Sequence, residues 1–260
     1  MSNIEALKEW DVSNSTNFSG MFYDCKLLSD IKALKNWNVS NCINFECMFY
    51  NCHKLSNIKP LEKWDVSKST NFSGMFYNCL ELSDITPLKA WNVSECTDLS
   101  VMFNGCKSLS DIKGLDKWNV SKCEDLSSMF SKCSSLSNIN ALKNWNVSNC
   151  NNLSNMFGSD TSSKEDLSLT IGDDVPIGTI DNTINCSLLS NIKALENWNV
   201  SNGINFSFMF YKCSSLSDIK ALENWNVSNG KDFRDMFKNC SSLSDIKALK
   251  NWNAPNGVIF

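Results

Sequence analysis

Tryptophan sets a period of 27 residues in this chain, and few folds tolerate such a constraint. Trp10, Trp37, Trp64, Trp91, Trp118 and Trp145 stand 27 residues apart, and Trp198, Trp225 and Trp252 resume the step after one gap. These are all nine tryptophans of the 260-residue chain. A methionine-phenylalanine pair keeps the same interval, from Met21-Phe22 to Met236-Phe237, and so does a cysteine at Cys25, Cys52, Cys79, Cys106, Cys133, Cys213 and Cys240, with Cys186 holding that place where the methionine is missing. One unit of this kind cannot bury its own apolar face, so units must stack into a solenoid. The expected domain is therefore a single one over residues 1–260, of about nine repeats, with a degenerate repeat at 158–185.

Within a unit two apolar rhythms alternate. Phe18, Met21, Phe22 and Cys25 fall at i, i+3, i+4 and i+7, the spacing of one helix face, and Ser15, Thr16 or Asn17 can cap its start. Trp37 and Val39 alternate with Asn38 and Ser40, the period of a strand with one buried face. Leu28, Ile31 and Leu34 come at three-residue steps, as in tightly wound 3₁₀-like segments. The expected class is α/β: a right-handed leucine-rich-repeat-type solenoid whose 27-residue units each hold one short parallel strand and one short helix.

Leu34-x-x-Trp37-x-Val39-x-x-Cys42 matches the leucine-rich pattern, and WDVSNSTNFSGMF (Trp10 to Phe22) and WDVSKSTNFSGMF (Trp64 to Phe76) carry a further signature. On these motifs the chain, apart from its irregular segment, resembles the BspA-like leucine-rich repeats of bacterial and giant-virus surface proteins. The resemblance implies a right-handed solenoid with strands on one side and helices on the other, no catalytic residues, and roles in attachment or host contact. The chain departs from that pattern in carrying Leu or Phe where the family has methionine before S-x-M-F, and an extra apolar step at Leu34.

Thirteen cysteines invite a metal or disulfide reading, but their spacing opposes both. Cysteines one solenoid turn apart form a ladder of single sulfurs about 5 Å apart, and stacked thiols of this kind behave as small buried hydrophobes. No Cys-x-x-Cys occurs, and the one histidine, His53, has no second ligand nearby in sequence, so no metal or cofactor is expected. Cys42, Cys96, Cys123 and Cys150 share their place with serine and glycine, where small size is the common property. Cys47 falls on neither ladder and is the candidate for an exposed, reactive thiol. Free thiols favour a reducing compartment.

Catalysis requires convergent titratable groups, and carboxylates scattered over repeat positions do not supply them, so no enzyme is expected. Asp30, Asp84, Asp111, Asp218 and Asp245 read as turn or capping residues. Net charge is −4 without a basic run, which argues against nucleic acid as a partner. MSNIEALKEW at the start has no apolar core of a signal peptide, and no stretch nears the ~20 apolar residues of a bilayer span, so membrane insertion is not expected. Read as complete, the chain is cytoplasmic; read as a fragment, it belongs to a cell or virion surface.

Two surfaces remain as candidates. If Trp37 and Val39 point inward, then Asn38, Ser40, Asp65, Ser67, Asn92, Ser94, Asn119, Ser121, Asn146 and Ser148 form polar ladders on one sheet face. They either satisfy one another or recognise a ligand. The same tripeptides spell N-x-S glycosylation acceptors, read here as accidents of the repeat. The second candidate lies in the broken unit, where Trp145 to Trp198 is 53 residues, one short of two periods. Leu169 and Ile171 could supply a replacement strand, and the acids Asp160, Glu165, Asp166, Asp173 and Asp174 a contact loop; simple drift of the repeat is the alternative.

Three functions compete: a protein- or glycan-binding module of the surface or host-contact kind, an intracellular scaffold or adaptor, and a structural ladder of ice-binding or shell type, which lacks flat threonine arrays. Open solenoid ends further allow end-to-end self-association.

Overall fold

The computed structural model describes residues 2–158 and 185–254. Successive 27-residue units pile up in register around one continuous core that runs from Ile4 to Leu249. Each buried position of one unit sits on its equivalent in the next. Phe22, Phe49, Phe76, Phe103, Phe130, Phe157, Phe210 and Phe237 form a stack with ring centroids 5.4–6.0 Å apart. The indoles stack in a second column, with Trp118 and Trp145 separated by 6.5 Å and tilted by only 4°.

Two side-chain hydrogen bonds tie each layer to the one before it. The indole N–H of Trp64 donates to the Leu34 carbonyl at 3.1 Å, and the same bond recurs at Trp37, Trp91, Trp118, Trp145, Trp198, Trp225 and Trp252. The Cys52 thiol donates to the Phe22 carbonyl at 3.3 Å, with equivalents at Cys79, Cys106, Cys133, Cys186, Cys213 and Cys240. Both residue types combine apolar bulk with one donor, so each fills the core while its own buried donor finds a carbonyl of the preceding layer.

The three-residue steps build what they suggest. Nine short 3₁₀ helices occur among the described residues, from Glu5–Leu7 to Lys247–Asn251, one per layer. The Asp30 carboxylate accepts the N–H of Lys32 at 2.9 Å and opens the helix Lys32–Leu34; Asp84, Asp111, Asp218 and Asp245 do the same two residues on.

The α-helix expected over Phe18–Cys25 does not form. Two successive tight turns take its place: Met21 N–H closes on the Phe18 carbonyl, and Cys25 N–H on that of Phe22. Gly20 and Asp24 occupy the third position of these turns with φ of 63° and 57°, a left-handed conformation that no right-handed helix admits. Meanwhile the N–H groups of Phe18, Gly20, Phe22 and Asp24 point sideways and donate to Asn44, Glu46, Met48 and Tyr50 of the next layer at 2.8–2.9 Å. Backbone donors that a helix would keep internal are used to join layers. Left-handed residues recur at the same two places in later units, including Asn51, Asn78, Gly74 and Gly105.

The strand expected at Trp37–Ser40 is also displaced. Trp37 and Val39 are buried and Asn38 is exposed, yet no ladder runs there, because Ser40 N–H turns back to the Asn38 side chain. Parallel pairing occurs instead mainly seven residues beyond the tryptophans, as single bridges linking Asn17, Asn44, Asn71, Asp98, Asp125, Asn152, Asn205 and Asp232, with one further bridge between Asp111 and Asn138. Among the described residues the unit thus holds neither an α-helix nor a strand longer than one bridge.

The layers on either side of the irregular segment meet directly. Asn152 pairs directly with Asn205, Phe157 stacks on Phe210 at 5.8 Å, and Trp198 donates to Leu142 as Trp37, Trp64 and the later tryptophans donate to their preceding layers. Layers before and after the segment therefore touch, with no layer between them. Leu169 and Ile171, expected to supply a replacement strand, lie outside the described residues. Joining Gly158 to Asn185 by deleting residues 159–184 restores a 27-residue step from Trp145 to Trp198. This deletion variant is expected to keep its far-ultraviolet circular dichroism and to melt within about 3 °C of the parent, a shift of about 1 kcal/mol. Loss of the cooperative transition would show that residues 159–184 are needed to hold those layers together.

Candidate binding face

The polar side of the stack is assembled from the segment that follows each tryptophan. Asn38, Asp65, Asn92, Asn119 and Asn146 are exposed, and Ser40, Ser67, Ser94, Ser121 and Ser148 are partly buried. They do not satisfy one another as ladders. Each Asn or Asp Oδ1 accepts the backbone N–H of its own serine at 3.1–3.2 Å, closing a local turn that fixes the side chain. The acidic group Asp160, Glu165, Asp166, Asp173 and Asp174 lies outside the described residues.

A further column, three residues beyond these asparagines, also faces solvent. Asn41, Asn149, Asn202 and Asn229 each extend Nδ2–H to the serine carbonyl of the preceding layer, at 2.6–2.9 Å. Lys122 takes the same place and pairs with Glu95 of the layer before it at 2.7 Å. Beside this column Thr97, Glu124, Asn151, Ile204 and Lys231 stand on the backbone ladder, each N–H donating to its predecessor at 2.8–2.9 Å. Together the two columns line an open trough of about 710 Å³. Sequence reasoning passed over this column because its partner is one layer away, and layer adjacency across the irregular segment is invisible in the sequence. The one available signal was the recurrence of asparagine directly after W-N-V-S.

Electrostatics along this side are set by burial. Asp98, on the bridged column, has its carboxyl pK raised mainly by desolvation, opposed by hydrogen bonds from Ser100, and raised further by Asp125. Glu46 is raised for the same reason, with Asp98 adding to it. His53 is lowered by burial and by Lys26.

The cysteine column is buried throughout, and every described thiol is free. Cys47, expected to be the exposed and reactive one, is fully buried under Tyr50 and Tyr77, and desolvation with nearby Glu46 pushes its thiol up to about 12. It sits at a left-handed turn position, where the side chain is directed beneath the stacked Tyr23, Tyr50 and Tyr77 rings instead of outward. Among the described residues no cluster of His, Cys, Asp and Glu is placed to hold a metal ion, and no helix is long and apolar enough to cross a membrane.

Stacked identical layers with interlayer backbone bonds and a shared core define a repeat solenoid. The chain belongs to the DUF285 family, described as Mycoplasma protein of unknown function, which matches it over residues 1–112, 54–170 and 183–258. Among solved structures it is similar to internalin C2 of Listeria monocytogenes, with 14% identity over 87% of this chain and 74% of that one and a TM-score of 0.39. It is similar also to internalin InlF of the same organism, with 14% identity over 99% of this chain and 72% of that one and a TM-score of 0.23. No curated protein matches the chain.

Proposed function

We propose that this chain is a non-enzymatic binding module that takes a macromolecular ligand, protein or glycan, along its polar side, in the surface or host-contact manner that BspA-like repeats imply. The observation that supports the reading most is the trough: an open, polar concavity spanning several layers on a backbone joined by repeated interlayer hydrogen bonds. Rigid, extended concave surfaces of this kind are what stacked repeats offer a large partner, since little order has to be created on binding. An intracellular scaffold using the same side is the second reading, favoured by thirteen cysteines that stay free and buried.

Presentation of the purified chain to arrays of immobilised proteins and glycans tests both readings. Saturable binding to at least one ligand is expected, weakened at least tenfold by the combined substitution Lys122→Ala, Glu124→Ala, Asn151→Ala, with an unchanged melting temperature. Absence of any saturable ligand, or indifference to the triple substitution, would sink the proposal.

A further inference from the structure

Resting on that reading, we infer that the three layers carrying Asn146, Asn199 and Asn226 bind an uncharged, linear glycan, one sugar ring per layer. These asparagines use Oδ1 to accept their own serine N–H at 3.1 Å, so the amide N–H groups face outward as donors. Asn149, Asn202 and Asn229 are fixed the other way round. One Nδ2–H of each donates to the serine carbonyl of the preceding layer at 2.6–2.8 Å, which turns Oδ1 outward as an acceptor on the trough. All six are exposed, and the hydrogen-bond network determines which way each amide points.

The result is a row of donors beside a row of acceptors, both prearranged and both uncharged. A hydroxyl group donates once and accepts twice, so a pair of neighbouring hydroxyls on a sugar ring can answer one donor and one acceptor in each layer. In an extended pyranose chain successive rings advance by about their own length, close to the ~4.8 Å step of a parallel backbone ladder, and although neighbouring rings are turned over, each still offers a layer a hydroxyl pair able to donate and accept. An extended peptide fits less well, because groups of the same kind on one edge recur only every ~6.7 Å. Among the described residues the pattern is contiguous only here. In the layers of Asp11 and Asp65 the donor is replaced by a carboxylate, and in those of Lys68, Glu95 and Lys122 the acceptor is replaced by a charge. Asn38 and Asn41 form one isolated pair between Asp11 and Asp65.

Cellohexaose, chitohexaose and mannohexaose, titrated calorimetrically into the full chain, provide the test. At least one is expected to bind with little dependence on salt, with affinity rising up to about three sugars. Asn199→Asp keeps the local turn, since Asp11 and Asp65 make the same bond naturally, but removes the donor. It should weaken binding at least tenfold with unchanged circular dichroism, while Asn38→Asp leaves binding as it was. Failure of all three sugars to bind, equal affinity of Asn199→Asp, or binding of extended peptides alone would overturn the inference. In the last case, trough-dependent protein binding would leave the broader reading standing.

Discussion

Raising the pH from 9 to 11 is expected to unfold this protein in one steep transition. The thiols of Cys47, Cys52, Cys96, Cys150 and Cys186 are pushed up to about 12, those of Cys42 and Cys240 to about 11, and Cys79, Cys106, Cys123, Cys133 and Cys213 also lie well above the ordinary value near 9. Desolvation is the leading cause at each, because a thiolate in this core would lose its water without gaining a cation. A folded pK above the unfolded one means that the folded chain holds more protons over that interval. Stability is then fully present below pH ~9 and is lost as pH rises toward the folded values. One pH unit above the unfolded pK, each thiol gives up roughly 1.4 kcal/mol. A domain stable by about 5–15 kcal/mol is exhausted once several thiols act together. Circular dichroism from pH 7 to 12 should show the transition between 9 and 11, with thiol alkylation negligible at pH 8 and complete after unfolding. Retention of the native spectrum at pH 11.5, or rapid alkylation of the native chain at pH 8, would contradict it.

Trp118→Ala is expected to cost about 3–5 kcal/mol, while Trp10→Ala costs under about 1. Trp118 is 4% exposed and packed against Trp145, whereas Trp10 is 55% exposed. The Leu88 carbonyl that the Trp118 indole satisfies also accepts Trp91 N–H, so loss of packing and not an orphaned acceptor dominates the penalty. A central gap also weakens the two layer interfaces on which a one-dimensional stack depends, so the urea transition of Trp118→Ala should broaden or split. Equal midpoint shifts for the two variants would mean that the indole column does not hold the stack.

How far each feature could be read from sequence depended on whether its cause was local. The Leu28-Ile31-Leu34 steps and the Asp30-type carboxylates act within a few residues, and both were readable. The turn pair at Phe18–Cys25 was not. Over eight residues, two four-residue turns and two helical turns place the same side chains on one side, so the apolar pattern cannot choose between them. Gly20, Gly74, Asn51 and Asn78 carried the missing signal, as residues that tolerate left-handed geometry. Cys47 failed for a related reason, since a residue with positive φ sends its side chain where neither periodicity anticipates.

Sequence by itself determined the 27-residue period, the burial of tryptophan, phenylalanine and cysteine, and the stacking of units, because a periodic apolar pattern has no other way to leave water. Only the tertiary structure decided where backbone donors go, that Phe157 meets Phe210 across the irregular segment, and that Asn149 and Asn202 become neighbours. Those outcomes depend on which layer lies next to which, and hydrogen bonds between layers, unlike hydrophobic burial, are directional and leave little trace in the order of residues.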